Sequence, residues 1–363
     1  MTSPANASAN ELTTLAVGAN GDRPVPLSIL DLVPVGDDAG PQSALWWTTE
    51  LAKSAERWGY HRFWVPEHHS FPASASPAPA VLLAHLAAVT QHIRLGSGGV
   101  MLTNHAPLLV AEQFGLLDLL YPGRMDLGVG RASGGHPAIN QALRRSDPDA
   151  GPTYLEQVAE LLGFVGGGFP GDHPYTRDHV HVVPAARDLP VWMLGSGMSG
   201  AEAAALFGLP FAGAYHINPE QSLVALGSYR DTFQPSDSLQ EPYTMVSVNV
   251  VCAETDAAAL RLARSGALAM AWARSGLSVS VPTPETAEKH ACTSAEEEFI
   301  RQWLGHTVHG SPETVRRGLE QLHKRTGADE LMLTTLMPNS HARLHSYELV
   351  AQEFRRAEGP ATP

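Results

Sequence analysis

The stretch RLGSGGVMLTNHAPLLVAEQFGLLDLLYPGRMDLGVGR, residues 94–131, carries the pattern that decides the fold. It begins with a strand that ends in Gly98-Gly99-Val100-Met101, continues with a helical segment at 108–121, and closes with a second strand at 123–131. Strand, helix and strand in this order form a βαβ unit. Both strands end in glycine or charge, and parallel barrels keep their chemistry at the carboxyl ends of their strands.

Strand and helix signals alternate along the rest of the chain. Apolar strands are predicted at 27–32, 61–65, 94–101, 123–131, 190–194, 210–214, 243–252 and 330–335. Helices are predicted at 43–58, 77–90, 108–121, 154–165, 201–207, 220–233, 256–272, 312–322 and 341–355. Regular alternation favours parallel strands with right-handed crossovers. Eight such units predict an α/β protein with a (β/α)8 TIM barrel and insertions; an open doubly wound sheet is the alternative.

Two stretches interrupt the alternation, at about 169–189 and 276–305. The second contains Pro282 and Pro284, and long unstructured loops in a compact domain are usually lids or binding loops. We therefore expect a protease-sensitive lid at 276–305. Residues 1–23 are predicted to be a disordered tail, and 24–358 a single domain.

Composition limits the possible partners and compartment. Hydrophobic residues make up 44% of the chain, which permits a large core, and the formal net charge of −13 argues against nucleic acid and anionic lipid as partners. No apolar run is long enough to span a membrane. Cys252 and Cys292 stand alone, without zinc-ligand spacing, so no metal is expected and a reducing cytoplasm is the simplest compartment.

Gly195-Ser196-Gly197-Met198-Ser199-Gly200 follows one predicted strand and opens a helix. Glycines let the backbone approach an anion, which the free N–H groups and serine hydroxyls of a helix start can bind. The letters also match the G-x-G-x-x-G dinucleotide fingerprint, which expects an acidic residue at the end of the next strand. That strand ends in Tyr215-His216. A phosphate site is therefore favoured over a dinucleotide site and over a plain glycine turn.

Other strand ends carry further candidates for binding and catalysis. Arg131 suits a phosphate because a guanidinium donates two parallel hydrogen bonds, although a surface salt bridge is the alternative. His68 and His69 follow the second strand, where an imidazole either moves protons or caps backbone carbonyls. Glu67 either orients His68 or is a structural carboxylate of the barrel rim, and the second interpretation is favoured. Gly98-Gly99 permits close approach of a planar ring.

From about residue 27 to residue 355 the chain resembles the bacterial luciferase-like, flavin-dependent monooxygenases. The motifs that carry the resemblance are Glu67-His68-His69, Gly98-Gly99-Val100, residues 123–131 and Gly195-Ser196-Gly197. The chain is most similar to the homodimeric oxidoreductases of this family. The resemblance implies reduced FMN delivered by a separate NAD(P)H:flavin reductase, O2 activated as a C4a-(hydro)peroxyflavin, and oxygenation of a small organic substrate. Secondary metabolism is one setting that it suggests.

The resemblance also implies roles for individual residues. It places the FMN phosphate at Gly195, Ser196, Gly197, Ser199 and Arg131. It makes His68 the acid–base residue beside the flavin, and Gly98-Gly99 a non-proline cis peptide under the isoalloxazine. Tyr215 and His216, at a strand end, are the candidates for the substrate pocket. Two alternatives stay open: a deazaflavin-dependent hydride transferase on the same fold, and a non-catalytic flavin-binding protein.

Overall fold

Eight parallel strands close into a barrel in the computed structural model, which describes residues 15–17, 25–36, 40–131, 137–143, 153–186, 188–277, 280–338 and 340–357. In chain order, the strands of the described residues, including three outside the barrel, are β1 (Ala16–Val17), β2 (Val25–Leu30), β3 (Arg62–Val65), β4 (Arg94–Ser97), β5 (Val100–Met101), β6 (Met125–Gly130), β7 (Val191–Gly195), β8 (Phe211–Gly213), β9 (Thr244–Cys252), β10 (Val308–Gly310) and β11 (Glu330–Thr334). Pairing runs β2–β3–β4–β6–β7–β8–β9–β11 and returns to β2. The predicted (β/α)8 barrel is confirmed.

Helices connect the strands on the outside of the barrel. They are α1 (Pro41–Arg57), α2 (Pro79–Ala88), α3 (Pro107–Leu120), α4 (Pro137–Ala142), α5 (Tyr154–Leu162), α6 (Pro174–Arg177), α7 (Met198–Phe207), α8 (Pro219–Thr232), α9 (Asp256–Arg274), α10 (Pro284–Lys289), α11 (Ser294–Gly305), α12 (Pro312–Thr326) and α13 (Ser340–Ala357). Several begin with a proline, which fits the first turn because its fixed φ is helical and its missing N–H has no partner there. A 3₁₀ turn at Leu102–Asn104 precedes α3.

Alternation along each barrel strand separates two apolar layers. On β11, Leu331 and Leu333 pack in the large cluster between barrel and helices, while Met332 packs inside the barrel. The interior cluster consists of Leu30, Trp64, Trp192, Ala212, Met245 and Met332. Side chains two residues apart on a strand point to the same face, so the interior positions of each strand follow directly.

A buried ionic network fills the end of the barrel where the strands begin. Arg62 donates to Glu330 at 3.0 Å and to Asp126 at 2.8 Å. Arg94 bonds the other oxygen of Asp126 at 2.5 Å. The carboxylate of Asp126 is wholly buried, and the two guanidinium groups hold its pKa below its usual value against the effect of burial. This network closes the end of the barrel opposite the strand ends that carry the candidate site.

The N-terminal prediction is wrong for residues 15–17. Ala16 and Val17 pair antiparallel with Pro26 and Val25. Leu15 is fully buried, and its backbone N–H donates to Gly59 O at 2.8 Å. The short apolar run Leu15-Ala16-Val17 in a polar segment gave too weak a signal for a two-residue strand. Residues 1–14 and 18–23 of the predicted tail lie outside the described part of the chain.

Neither insertion is the unstructured loop that was expected. Within 169–189, α6 brings Tyr175 and His173 onto Phe169, which also packs edge-on against Phe164 at 4.9 Å. Within 276–305, α10 and α11 pack on α9, so most of this segment is helical. Its beginning borders the strand ends, where Val281 packs with Phe71 and Leu336. The protease-sensitive lid stays a prediction.

Among the described residues, no helix combines the length and the apolar character needed to cross a lipid bilayer.

Candidate active site

The ends of β6 and β7 place Arg131 beside the glycine–serine loop. Gly130 lies opposite Leu194 in the register of these parallel strands, so Arg131 follows β6 beside Gly195, the last residue of β7. Helix α7 begins at Met198, and Gly197 at its N-cap supplies no side-chain hydrogen bond. The first N–H groups of α7 therefore remain available to an anion next to a guanidinium.

Packing requires glycine at Gly200 and leaves little room for a side chain at Gly195, whereas Gly197 has open space around it. A Cβ on Gly200 would lie 2.9 Å from Leu194 O, and a Cβ on Gly195 would lie 3.2 Å from the Cα of Gly200. These contacts bring the start of α7 directly against the end of β7. Ser196 is half-buried and Ser199 exposed at the same helix start, as a phosphate site requires.

Four buried polar atoms line the contact between α5 and the 3₁₀ turn. They are Thr103 Oγ1, Asn104 Oδ1, the Tyr154 hydroxyl and Gln157 Oε1, and none has a hydrogen-bond partner among the described residues. Burial raises the pKa of Tyr154 well above its usual value, while the nearby Arg131 opposes that shift. Buried polar atoms are rarely left unpaired without a ligand or water. A phosphate on Arg131 and Tyr154, with a polyol chain on Asn104 and Gln157, would satisfy this group.

The backbone between β4 and β5 forms a floor next to that cluster. The peptide bond Gly98–Gly99 is cis, as the resemblance implies. A Cβ on Gly98 would lie 2.7 Å from Leu30 Cδ1, and one on Gly99 would lie 2.9 Å from Gly128 O. A side chain at Gly99 would meet backbone, and one at Gly98 would have to displace Leu30. Both glycines are half-buried, so part of this backbone stays accessible.

His68 follows β3 and lies at the mouth of the barrel. Its backbone N–H donates to Ser76 O at 2.9 Å, Nδ1 is 3.4 Å from Ser74 Oγ, and its ring meets the edge of Phe71 with 5.5 Å between centroids. Ser74 Oγ in turn donates to Leu32 O at 2.7 Å. Burial lowers the pKa of His68 to about 4. At neutral pH the ring is therefore uncharged and can accept a proton.

His216 lies close enough to His68 for their charges to interact, whereas Tyr215 does not join them. His216 Nδ1 is 2.7 Å from Ser247 Oγ, and burial lowers the pKa of His216 to about 4, with a smaller contribution from His68. Tyr215 instead packs in the cluster between barrel and helices, where the guanidinium of Arg325 lies 5.6 Å from its ring centre. The structure therefore places His216, but not Tyr215, at the mouth.

Three inward polar residues of the mouth are not predicted from the sequence. Ser247 and Asn249 share the inner face of β9 with Met245, and Thr334 lies opposite Asn249 on β11. Thr334 is fully buried, and its Oγ1 has no hydrogen-bond partner among the described residues. The sequence did carry a signal, because polar residues alternate with Val246, Val248 and Val250 in an otherwise apolar strand.

Glu67 is a structural carboxylate of the barrel rim, the interpretation that the sequence favours. Its carboxylate is buried and accepts hydrogen bonds from His69 Nε2 at 2.7 Å, His105 Nε2 at 2.9 Å, Asn104 Nδ2 at 3.3 Å and the Met101 backbone N–H at 2.9 Å. These bonds lower its pKa although burial acts in the opposite direction. Glu67 therefore holds the segment after Gly99 and does not contact His68 through a hydrogen bond described in the structure.

Comparison with known proteins agrees with this geometry. The family model described as luciferase-like monooxygenase matches residues 25–330. A luciferase-like monooxygenase of Escherichia coli is 40% identical over 329 residues, covering 90% of this chain and 96% of that protein. An N-acetyl-S-alkylcysteine monooxygenase of Bacillus subtilis is 34% identical over 340 residues, covering 92% and 99%. The crystal structure of apo-MsnO8 superposes with a TM-score of 0.80 at 36% identity, covering 91% of this chain and 98% of that one.

More distant structures share the fold but differ in cofactor. The oxygenating constituent of 3,6-diketocamphane monooxygenase from Pseudomonas putida, in complex with FMN, has a TM-score of 0.65 at 19% identity, with 93% and 100% coverage. A coenzyme F420 dependent reductase from Methanopyrus kandleri has a TM-score of 0.63 at 17% identity, with 92% and 99% coverage. At these sequence identities the two structures show only that the fold is the same. The family match and the two closer relatives decide the assignment: the chain belongs to the luciferase-like monooxygenase family.

Proposed function

We propose that this flavin-dependent monooxygenase binds FMN at the ends of β4, β6 and β7, and that it oxygenates a small organic substrate at the mouth of the barrel. The observation that carries the proposal is the convergence of Arg131, the uncapped start of α7 and the unpaired Tyr154 hydroxyl. One cation, free N–H groups and a buried donor together suit a phosphate monoester. When bound, reduced FMN supplies the electrons that activate O2.

The chain's own residues would divide the work. The bare backbone of Gly98 and Gly99 supports a planar ring, and Arg131 anchors its phosphate. Burial lowers the pKa of both His68 and His216, so both rings are neutral at pH 7, and His68 is the proposed acid–base residue near the substrate. Ser247, Asn249 and Thr334 offer neutral hydrogen-bonding groups in an otherwise apolar interior, a lining typical of small-molecule sites.

A separate reductase is the proposed source of reduced flavin. Strand β8 is followed by Ala214, Tyr215 and His216, without the acidic residue that a bound nicotinamide dinucleotide would need for its ribose. The start of α7 therefore provides a site for a single phosphate, and the enzyme is expected to depend on NAD(P)H only through that partner.

A second copy of this chain is the proposed partner on helices α2 and α3, which pack against each other. Both carry exposed apolar residues beside buried ones: Val81, Leu109, Leu116, Leu119 and Leu120 are all exposed. A helix that is apolar all round is expected to be covered on both sides. Leu116→Glu with Leu120→Glu should give monomers in light scattering, while Val224→Glu on α8 should not. An unchanged mass in the double variant would contradict this interface.

Flavin selectivity tests the proposal as a whole. The protein is titrated with FMN, riboflavin and the deazaflavin F420, and binding is followed by tryptophan or flavin fluorescence. O2 uptake is then measured with chemically reduced FMN. We expect FMN to bind more tightly than riboflavin and F420. Preference for F420, with no O2 uptake above the free-flavin rate, would establish the hydride-transfer alternative. Absence of binding by all three would reject the cofactor site.

A further inference from the structure

The loop between α10 and α11 brings three metal-ligating side chains together. One ligand atom from each of His290, Cys292 and Glu296 lies within 4.8 Å of the others. They sit where the second insertion packs on α9, in a cluster with Trp272 and Trp303. The group shares no residue with the candidate active site, and sequence spacing alone gave no reason to expect a metal there.

The carboxylate of Glu296 is already fixed in position. Its Oε2 accepts the Thr293 backbone N–H at 2.7 Å in a capping box at the start of α11. Its Oε1 accepts the indole N–H of Trp272 at 3.1 Å and lies 3.2 Å from His290 Nε2. The His290 ring also meets Trp272 edge-on with centroids 5.2 Å apart. Two of the three ligands are thus held in place before an ion arrives, which reduces the entropy lost on binding.

The local charge favours a cation in spite of a neighbouring arginine. Arg264 Nη2 lies 3.9 Å from Cys292 Sγ, but this guanidinium is paired with the carboxylate of Glu297. The carboxylates of Glu296 and Glu297 and the guanidinium of Arg264 together give the group one net negative charge. Ionisation of the thiol would add a second, so that a divalent ion would bring the group to neutrality.

We propose that His290, Cys292 and Glu296 form a binding site for a borderline divalent transition-metal ion of the zinc class. Thiolate and imidazole select Zn²⁺ or Co²⁺ over Mg²⁺ and Ca²⁺, which prefer oxygen ligands. Binding forms bonds to Sγ, Nε2 and Oε1 and breaks the hydrogen bond between Nε2 and Oε1. The imidazole proton then sits on Nδ1 and the thiol proton leaves to solvent, with no change in oxidation state. Water completes a tetrahedral shell. The ion ties the α10–α11 loop to the start of α11.

Cobalt titration of the chelator-treated protein tests this site, because the chain has only two cysteines to compare. We expect one equivalent of Co²⁺ to produce thiolate-to-cobalt charge-transfer absorption and the visible bands of tetrahedral cobalt, both removed by one equivalent of Zn²⁺. Cys292→Ala should abolish the charge-transfer band, and the matched variant Cys252→Ala, at the buried cysteine, should retain it. His290→Ala should weaken Co²⁺ binding at least about tenfold, the smallest loss typical even for residues behind a ligand.

Folding of each variant is checked by its circular dichroism and by FMN binding, which this site should not affect. Absence of the charge-transfer band in the wild-type protein would overturn the proposal. So would a band that survives in folded Cys292→Ala, or cobalt binding only at large excess. Should Cys252→Ala fail to fold, the comparison of wild type with Cys292→Ala still decides.

Discussion

The carboxylate of Glu67 accepts the backbone N–H of Met101 at 2.9 Å, two residues beyond the cis peptide Gly98–Gly99. Glu67 directly precedes His68 in the chain. One buried carboxylate therefore connects the strand end that carries the candidate acid–base residue with the backbone floor of the candidate flavin site. Hydrogen bonds from His69 and His105 complete its shell.

Glu67→Gln should loosen this connection. A glutamine keeps the shape, but its NH2 group cannot accept a hydrogen bond, so at least one of the present donors loses its partner. We expect the free energy of unfolding to fall by about 1–3 kcal/mol, and FMN affinity to fall with it. Urea unfolding and fluorescence titration measure the two effects. Glu254→Gln, at an exposed pair with His345, is the control; equal behaviour of both variants would contradict the assigned role.

Asp126→Asn should destabilise the closed end of the barrel without reaching the flavin site. The substitution leaves Arg62 and Arg94 with a neutral partner in place of a buried carboxylate. Breaking a buried ion pair from one side costs about 3–5 kcal/mol. Urea unfolding should show this loss, and the folded fraction should bind FMN normally. Glu298→Gln, at an exposed pair with Arg301, should leave stability unchanged. A loss of FMN affinity in folded Asp126→Asn would show that the network shapes the site.

Acid should destabilise the protein partly through His68 and His216. Both have folded-state pKa values of about 4, below the ordinary 6.5. Between these values the unfolded chain binds more protons, so stability falls as the pH drops from 6.5 towards 4 and loses nothing further from these groups below 4. The double variant His68→Gln, His216→Gln should show a shallower decline in unfolding free energy over this window. Parallel curves would mean that the pKa of neither ring is lowered in the folded state.

His68→Ala should impair turnover far more than FMN binding. A positioned proton acceptor typically contributes about 10²–10⁴ in rate, and His68 is remote in the chain from the phosphate ligands. Stopped-flow oxidation of reduced FMN by O2 on the enzyme measures the effect, with FMN affinity determined in parallel. His69 bonds Glu67 at 2.7 Å and faces away from that chemistry, so His69→Ala should retain most of the oxidation behaviour. Wild-type kinetics in His68→Ala would show that His68 has only a structural role.

The barrel and much of the site follow from local sequence signals. Alternation of strands and helices predicted the eight units, and glycines with Arg131 at strand ends predicted the loop at the start of α7. Long-range contacts were out of reach of such signals. The buried position of Leu15 depends on pairing with β2, and Tyr154 meets the site only because α5 packs on the turn after β5. Tyr215 was misplaced since one residue decides whether a strand-end side chain faces inwards or outwards.

The insertion at 276–305 shows a different limit. Its prolines and charges predict a flexible loop, yet Pro284 occupies the first turn of α10 and Glu296 closes the capping box of α11. Both residues signal a helix start when a threonine precedes them at the N-cap. Thr283 directly precedes Pro284, and Thr293 lies three residues before Glu296. The composition of a segment was therefore less informative than the order of its residues.

In the proposed site, Arg131 binds the phosphate of FMN. This role is tested by titrating Arg131→Ala with FMN and with riboflavin and following flavin fluorescence, with Arg177→Ala on the exposed helix α6 as the control. Hydrogen bonds to a charged group are worth about 1.5–3 kcal/mol, so FMN should bind about 10- to 100-fold more weakly to Arg131→Ala, while riboflavin binding stays close to that of the wild type. Equal losses for FMN and riboflavin, or no loss for FMN, would contradict the account.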